Sequence, residues 1–340
     1  MRIGILTGGG DAPGLNGVIE AATRTLLNSG HEVIGICDGF EGIYEGNFMP
    51  LTLDIVRGQH AFAGTLLGTS NRSGTEGREE EFLKAYSHIG IEGLIVAGGD
   101  GTFRSLQSMG DQLKIIGVPK TIDNDLSGTD ATFGYDTACS VVSEAIDSLR
   151  ATARAHKRII VIETMGRTAG WIALGGGMAS MADAILIPER PLNLKSFKKF
   201  LKEKHERQRG IIIVTSEGTI IEDDVKRELD LSGESVTVAD YGIGEKLSLW
   251  IQQEVDSETR HVVLGHLQRS HPPSTTDRFL TTAMGIVAAR LAHKNEWGKA
   301  AAFKNGQVTA VKLETIMGPP RNVDPEHRWV KMAQALGIYI

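Results

Sequence analysis

Two short apolar runs set the pattern of this chain. Leu94-Ile95-Val96-Ala97 leads into Gly98-Gly99-Asp100-Gly101-Thr102, and Ile115-Ile116-Gly117-Val118 leads into Pro119-Lys120-Thr121-Ile122-Asp123-Asn124-Asp125. Short, continuous, β-branched runs stopped by glycine or proline predict parallel strands buried on both faces. Similar runs recur at 3–7, 32–37, 158–163, 184–187, 211–214, 261–265 and 308–313. Helical spacing predicts helices over 15–27, 77–88, 138–156, 195–208, 241–256 and 275–293, with a helix start at 102–109 and a glycine-rich helix after Arg167. The stripe Val141, Val142, Ala145, Ile146 and Leu149 predicts a core-facing side for the longest of these. The polar, acidic stretch 222–240 reads as an inserted loop. Strands alternating with helices predict an α/β fold of two doubly wound, mainly parallel domains, one sheet ending near Ile115 and the other starting near Arg158. The active site is expected in the cleft between them.

The loops that end the two leading runs carry the chemistry. Open α/β sheets bind ligands beyond the carboxyl ends of their strands, so these loops are expected side by side. Gly98, Gly99 and Gly101 let backbone approach a ligand closely, and a following helix start suits a phosphate. Carboxylates beside a polyphosphate need a cation between, so Asp100 and Asp125 predict a Mg²⁺ site. Asp123 is left to act as a base toward an acceptor hydroxyl. The first strand ends in a similar glycine loop, 8–14, near a phosphate, with Asp11 as its helix cap. Arg72, in the polar loop 64–72, is a candidate phosphoryl clamp. Arg158, Arg167, Arg260 and Arg269 flank strand-like runs and, with Glu217 and His266, suggest one pocket for a sugar phosphate.

Composition narrows the field. At 340 residues, 41% hydrophobic and 23% charged, the chain fits about two ordinary globular domains. A net charge of −6 argues against nucleic acid or an anionic membrane as partner. Cys37 and Cys139 lie far apart and outside any metal-ligand spacing. No apolar run nears the roughly 20 residues of a membrane span, and residues 1–7 do not form a signal segment, so a cytoplasmic location is expected.

On these blocks the chain resembles the bacterial-type 6-phosphofructokinases. The matching residues are Thr7-Gly8-Gly9-Gly10-Asp11-Ala12-Pro13-Gly14-Leu15-Asn16, the Gly98 and Pro119 blocks, Met165-Gly166-Arg167, Ser216-Glu217-Gly218 and Gly265-His266-Leu267-Gln268-Arg269. The resemblance implies a chain that crosses back: 1–138 plus about 270–318 for the phosphoryl donor, and 139–269 plus about 319–340 for the sugar phosphate. It implies that Gly9, Asn71 or Arg72, Gly99, Asp100, Gly101 and Thr102 bind the donor. Thr121, Ile122, Asp123, Met165, Gly166, Arg167 and Glu217 match positions that hold fructose 6-phosphate, and His266 and Arg269 match positions at its 6-phosphate. Arg158 and Arg260 match arginines supplied by a neighbouring subunit, which implies a homo-oligomer, dimer or tetramer, with shared sites. Asp123 is then the base, with Arg72 and Arg167 neutralising charge in transit.

In that family pyrophosphate users usually carry Asp at the position of Gly101 and Lys at that of Lys120, so the resemblance makes these the donor-selecting positions, with Lys120 compatible with either donor. Glycine leaves room for the α-phosphate of ATP, where an aspartate would crowd and repel it, so ATP is expected and pyrophosphate is the alternative. Arg24 and Arg150 match part of the family's effector pocket. Glu20, Asp183 and Gln208 lower its positive charge, so weak effector response is expected. Ser270-His271-Pro272-Pro273 departs from the family's glycine-rich run, which leaves sedoheptulose 7-phosphate open as an acceptor. NAD kinases and diacylglycerol kinases share Gly-Gly-Asp-Gly-Thr but not the Pro119 or His266 blocks. A nucleotide-binding regulatory subunit would be expected to lack the base or the metal ligands, and Asp100, Asp123 and Asp125 are all present.

Overall fold

A computed structural model describes residues 1–70, 74–222 and 242–340. The elements run β1 (Arg2–Thr7), α1 (Leu15–Asn28), β2 (Glu32–Ile36), α2 (Phe40–Glu45), β3 (Phe48–Pro50), α3 (Leu53–Val56), α4 (Glu79–Ile89), β4 (Gly93–Gly98), α5 (Asp100–Gln107), β5 (Ile115–Pro119) and α6 (Tyr135–His156). They continue with β6 (Ile159–Thr164), α7 (Trp171–Ala179), β7 (Ala184–Leu186), α8 (Leu194–Arg207), β8 (Ile211–Ser216), α9 (Ile243–Val255), β9 (Thr259–Val263) and α10 (Leu267–Ser270). The last are α11 (Thr275–His293), β10 (Lys299–Lys304), β11 (Gln307–Lys312), α12 (Leu313–Ile316) and α13 (Arg328–Ala335). The chain divides into two compact units, Met1–Thr137 with Arg269–Pro320, and Ala138–Gln268 with Arg321–Ile340.

The first unit holds a seven-stranded sheet of order β11-β10-β5-β4-β1-β2-β3. Its central strands pair in parallel, and β3 and β11 close the edges antiparallel. Side chains alternate across a strand, so a strand buried on both faces must be apolar throughout. In β4, Ile95 and Ala97 enter one core with Leu15, Val18 and Ile19 of α1 and Leu280 and Met284 of α11. Leu94 and Val96 enter the opposite core with Phe40 of α2, Phe82 of α4 and Phe103 of α5. The charged helix predicted over 77–88 thus contributes a core anchor: Phe82 is fully buried.

The second unit holds a parallel four-stranded sheet of order β7-β8-β6-β9. Ile159 and Val161 of β6 and Ile211 and Ile213 of β8 pack against Phe197 and Leu201 of α8 and Trp250 of α9.

Several local expectations need correction. No run predicts an element over 299–304, yet that segment is a strand, because it lies beside β5. The helix expected from Thr102 begins at Asp100, with Gly99 as its N-cap. Gly14, in the left-handed region, stands at the N-cap of α1, so Asp11 does not cap that helix. The expected loop 222–240 lies outside the described residues except for Glu222. Among the described residues, no helix is long and apolar enough to cross a membrane.

Candidate active site

The sheet register brings the two leading loops together. Gly98 pairs with Pro119 at the ends of β4 and β5, and Thr7 pairs with Ala97 at the ends of β1 and β4. Two bonds extend the ladder into the loops: Gly8 N donates to Ala97 O at 2.9 Å, and Lys120 N to Gly98 O at 2.9 Å. The buried Thr102 side chain fills the space between the glycine loops. A Cβ on Gly8 or Gly98 would lie 2.7 or 2.6 Å from its Cγ2, so neither position tolerates a side chain. Among the described residues, a Cβ on Gly101 would meet nothing within 4 Å. Among the described residues no side chain caps the N-terminus of α5, and Asp100 in its first turn accepts from Arg104 Nε at 2.7 Å.

The 119–125 turn is braced from below. Thr121 Oγ1 accepts from Asp123 N at 3.1 Å. Thr132 donates its N–H to Asn124 Oδ1 at 3.0 Å and its hydroxyl to Thr121 O at 2.7 Å. Asn124 takes a φ of 55°, which asparagine accommodates better than most residues. These bonds hold the Asp123 carboxylate in a turn where only 5% of the residue is exposed.

Lys120, expected here, is set apart by its burial. Its ammonium donates to Gly10 O. Burial first, and then the Arg269 guanidinium, push its pKa down to about 8, against the pull of Asp123, Asp11 and Asp125. Arg269 lies against Gly10, where a Cβ would sit 2.9 Å from Nη1, and that nitrogen is 3.9 Å from Asp11 Oδ1. Gly9, Gly10, Asp11, Lys120 and Arg269 thus form one group in the first unit. Thr69 fixes the same loop by donating to Gly9 O at 2.6 Å. Thr69, Thr132 and the Lys120–Gly10 contact carry no spacing signal, because their partners lie 8 to 110 residues away. Asn71 and Arg72 lie outside the described residues.

The second unit repeats the arrangement with other chemistry. Thr164 pairs with Ser216 at the ends of β6 and β8, which sets Met165, Gly166 and Arg167 beside Glu217. Arg167 takes a φ of 52°, strained for a residue with a long side chain. Glu217 Oε1 accepts from Arg167 N at 2.8 Å and secures that turn. Glu189 accepts from Gly170 N at 3.0 Å on the far side of it. His266 is exposed just beyond β9. Arg260 does not flank a strand: it lies inside β9, whose span is Thr259–Val263. Arg158 and Arg260 converge on one carboxylate, Glu258, at 2.7 and 2.6 Å.

The two acids at the effector-matching positions are engaged within the chain. Glu20 accepts from Arg24 at 3.1 Å and from His60 at 2.8 Å. Asp183 accepts from Lys204 at 3.1 Å and from Gln208 at 2.8 Å, beside a cavity lined by Arg150, Arg154 and Arg209.

The chain belongs to the phosphofructokinase family, whose model matches residues 2–292. It is 41% identical to the ATP-dependent 6-phosphofructokinase 2 of Clostridium perfringens, over 99% of this chain and 97% of that one. It is also 38% identical to the pyrophosphate–fructose 6-phosphate 1-phosphotransferase of Streptomyces coelicolor, over 96% and 97%. Among solved structures, the phosphofructokinase of Saccharomyces cerevisiae superposes with a TM-score of 0.78 at 28% identity, over 93% of this chain and 45% of the yeast chain. The α/β architecture is the phosphofructokinase fold, and the protein is a phosphotransferase.

Proposed function

We propose that the enzyme transfers the γ-phosphoryl of ATP to the 1-hydroxyl of fructose 6-phosphate, giving fructose 1,6-bisphosphate and ADP, a step of glycolysis. The observation that carries this reading is the in-register meeting of the Gly98 and Pro119 loops, with Asp123 held in a braced, buried turn. A kinase needs backbone that can approach phosphates, and a carboxylate fixed where the acceptor hydroxyl arrives.

In this reading Gly9, Gly99, Gly101 and Thr102 line the donor, with Asn71 and Arg72 as further donor contacts. Thr121 and Ile122 shape the turn that presents Asp123 to the sugar. Asp123 accepts the proton of the 1-hydroxyl as its oxygen bonds to the γ-phosphorus and the bond to the ADP oxygen breaks. Arg167 meets the charge on the transferring group, and Glu217 serves both as a sugar contact and as the anchor of Arg167. Met165 and Gly166 complete the sugar contacts, and His266 and Arg269 take the 6-phosphate.

Asp100 and Asp125 fit Mg²⁺. Asp100 opens α5 after β4 and Asp125 follows β5, strands that pair in register; their hard carboxylate oxygens would suit Mg²⁺, which takes few protein ligands and completes its shell with water and phosphate, and Asp100 would exchange Arg104 for the ion. Mg²⁺ bound there would neutralise the phosphate charge. Arg158 and Arg260, gathered on Glu258, are proposed to serve a neighbouring subunit's sugar phosphate, which makes the active form a homo-oligomer. The reading carries a cytoplasmic location with it.

Open space at Gly101 among the described residues favours ATP, and the buried Lys120 is compatible with either donor. The deciding experiment supplies fructose 6-phosphate and Mg²⁺ with ATP or pyrophosphate in parallel. Turnover with ATP and not pyrophosphate is expected; the reverse would overturn the donor assignment. Asp123→Asn should lower kcat by about 10²–10⁴-fold, the usual contribution of a positioned base. An unchanged kcat would remove Asp123 from that role.

A further inference from the structure

A second buried carboxylate is linked to the Asp123 turn through Gly134, and the mechanism above does not use it. Asp277, in the first turn of α11, is 1% exposed. Its Oδ2 accepts from Thr137 N at 2.9 Å and from Thr137 Oγ1 at 2.6 Å, and Gly134 N–H also donates to it. Thr137 stands in the first turn of α6, so the carboxylate of one helix caps the start of another. The tie is reciprocal. Ser274, the N-cap of α11, donates its hydroxyl to Asp136 Oδ2 at 2.6 Å, and its N–H to Thr137 Oγ1 at 2.9 Å. The named partners of the Asp277 carboxylate are all donors, an arrangement that suits an ionised acceptor and does not suit an amide.

Gly134 links this tie to the chemistry. It has a φ of 90°, and a Cβ there would lie 3.1 Å from both Ala12 Cβ and Ile122 Cγ2 and 3.3 Å from Pro13 O. It therefore underlies both the 8–14 glycine loop and the 121–125 turn. Ile122 is the neighbour of Asp123. Burial pushes the Asp277 pKa up to about 6, with Asp136 adding to the push. Burial works against the ionised form, and the three donors from Thr137 and Gly134 offset that cost.

We infer that Asp277 is a positioning residue for phosphoryl transfer: through Gly134 and Thr137 it sets the height of the 121–125 turn and so the place of the Asp123 carboxylate. The inference rests on the phosphoryl-transfer reading of that turn.

The test uses the full-length enzyme with Asp277→Asn, Thr137→Val and Thr137→Ser. Steady-state kinetics with fructose 6-phosphate and Mg²⁺–ATP are read beside amide hydrogen exchange over residues 121–136 without substrate. Asp277→Asn sets an NH₂ group against N–H donors. It should lower kcat on the order of 10- to 100-fold, the cost of a displacement near 1 Å, while leaving the KM for ATP within about twofold. Exchange over 121–136 should quicken. Thr137→Val should act in the same direction, and Thr137→Ser, which keeps the hydroxyl, should stay within about twofold of wild type. Unchanged kcat and exchange in a folded Asp277→Asn protein would overturn the inference, as would equal damage from Thr137→Ser and Thr137→Val. If Asp277→Asn does not fold, the two Thr137 variants decide. If wild type turns over neither donor, the functional reading fails, and the exchange data alone judge the tie.

Discussion

Replacing Lys120 by methionine should make the protein more stable at neutral pH. The side chains are similar in size, and only the charge and its hydrogen bond are removed. Burial moves the ammonium's titration from 10.5 to about 8. At about 1.36 kcal/mol per pH unit, carrying that charge costs the folded state about 3 kcal/mol. The variant also loses the charged bond to Gly10 O, worth about 1.5–3 kcal/mol, which leaves a net gain of up to about 2 kcal/mol. The sign follows from the order of the pKa values. The folded value lies below the unfolded one, so protonation favours unfolding, and the cost is fully present below pH 8. It fades as pH rises from 8 through 10.5, and the advantage of Lys120→Met should fade with it. Urea unfolding at pH 7 and at pH 9.5 measures both. A variant less stable than wild type at pH 7, or a pH-independent difference, would refute the reasoning. The same variant should lose at least about tenfold in kcat/KM, because the charge lies among Gly10, Asp123 and Arg269.

Three further outcomes follow from local geometry. Among the described residues the buried Tyr86 hydroxyl has no hydrogen-bond partner, and burial pushes its pKa up to about 12. Tyr86→Phe should therefore be neutral or stabilising by up to about 1 kcal/mol, and a clear drop in the urea midpoint would contradict that. Gly101→Asp has open space around it, so stability should hold within about 0.5 kcal/mol. Its kcat/KM for ATP should fall at least about tenfold, more than any effect on pyrophosphate, and unchanged ATP kinetics would remove Gly101 as donor selector. With Glu20 and Asp183 engaging the nearby cations, neither ADP nor phosphoenolpyruvate should shift the half-saturation for fructose 6-phosphate severalfold, which sugar titrations at fixed effector would check.

The sequence was most readable where burial acts on both faces of a strand. Such strands cannot hide a polar residue, so β4 and β5 stand out as runs, and their ends mark the chemical loops. Tertiary context was less visible. Residues 299–304 join the sheet because β5 offers an edge, against their alanine-rich composition. β3 has only three residues, too few for a period. Arg260 looked like a strand-end residue because the apolar run starts after it, yet hydrogen bonding carries β9 back to Thr259. In the site, the glycine and carboxylate blocks were legible as local patterns. The supports were not: Thr132, Gly134, Asp277 and the Lys120–Gly10 bond act between segments distant in sequence, and no local spacing encodes them.

The sheet of the first unit also sets a schedule for synthesis. β5 is an inner strand only because β10 lies beside it, and β10 follows β5 by about 180 residues. At about 5–20 residues per second, that interval lasts roughly 10 to 40 s. Through it the nascent chain carries an open apolar edge formed by Ile115-Ile116-Gly117-Val118, a template for pairing with other chains. The second unit waits longer still, since Ile185 N–H bonds to Tyr339 O. Yield on expression should therefore depend on translation rate and chaperone supply, and chains released before residue 312 should aggregate rather than fold.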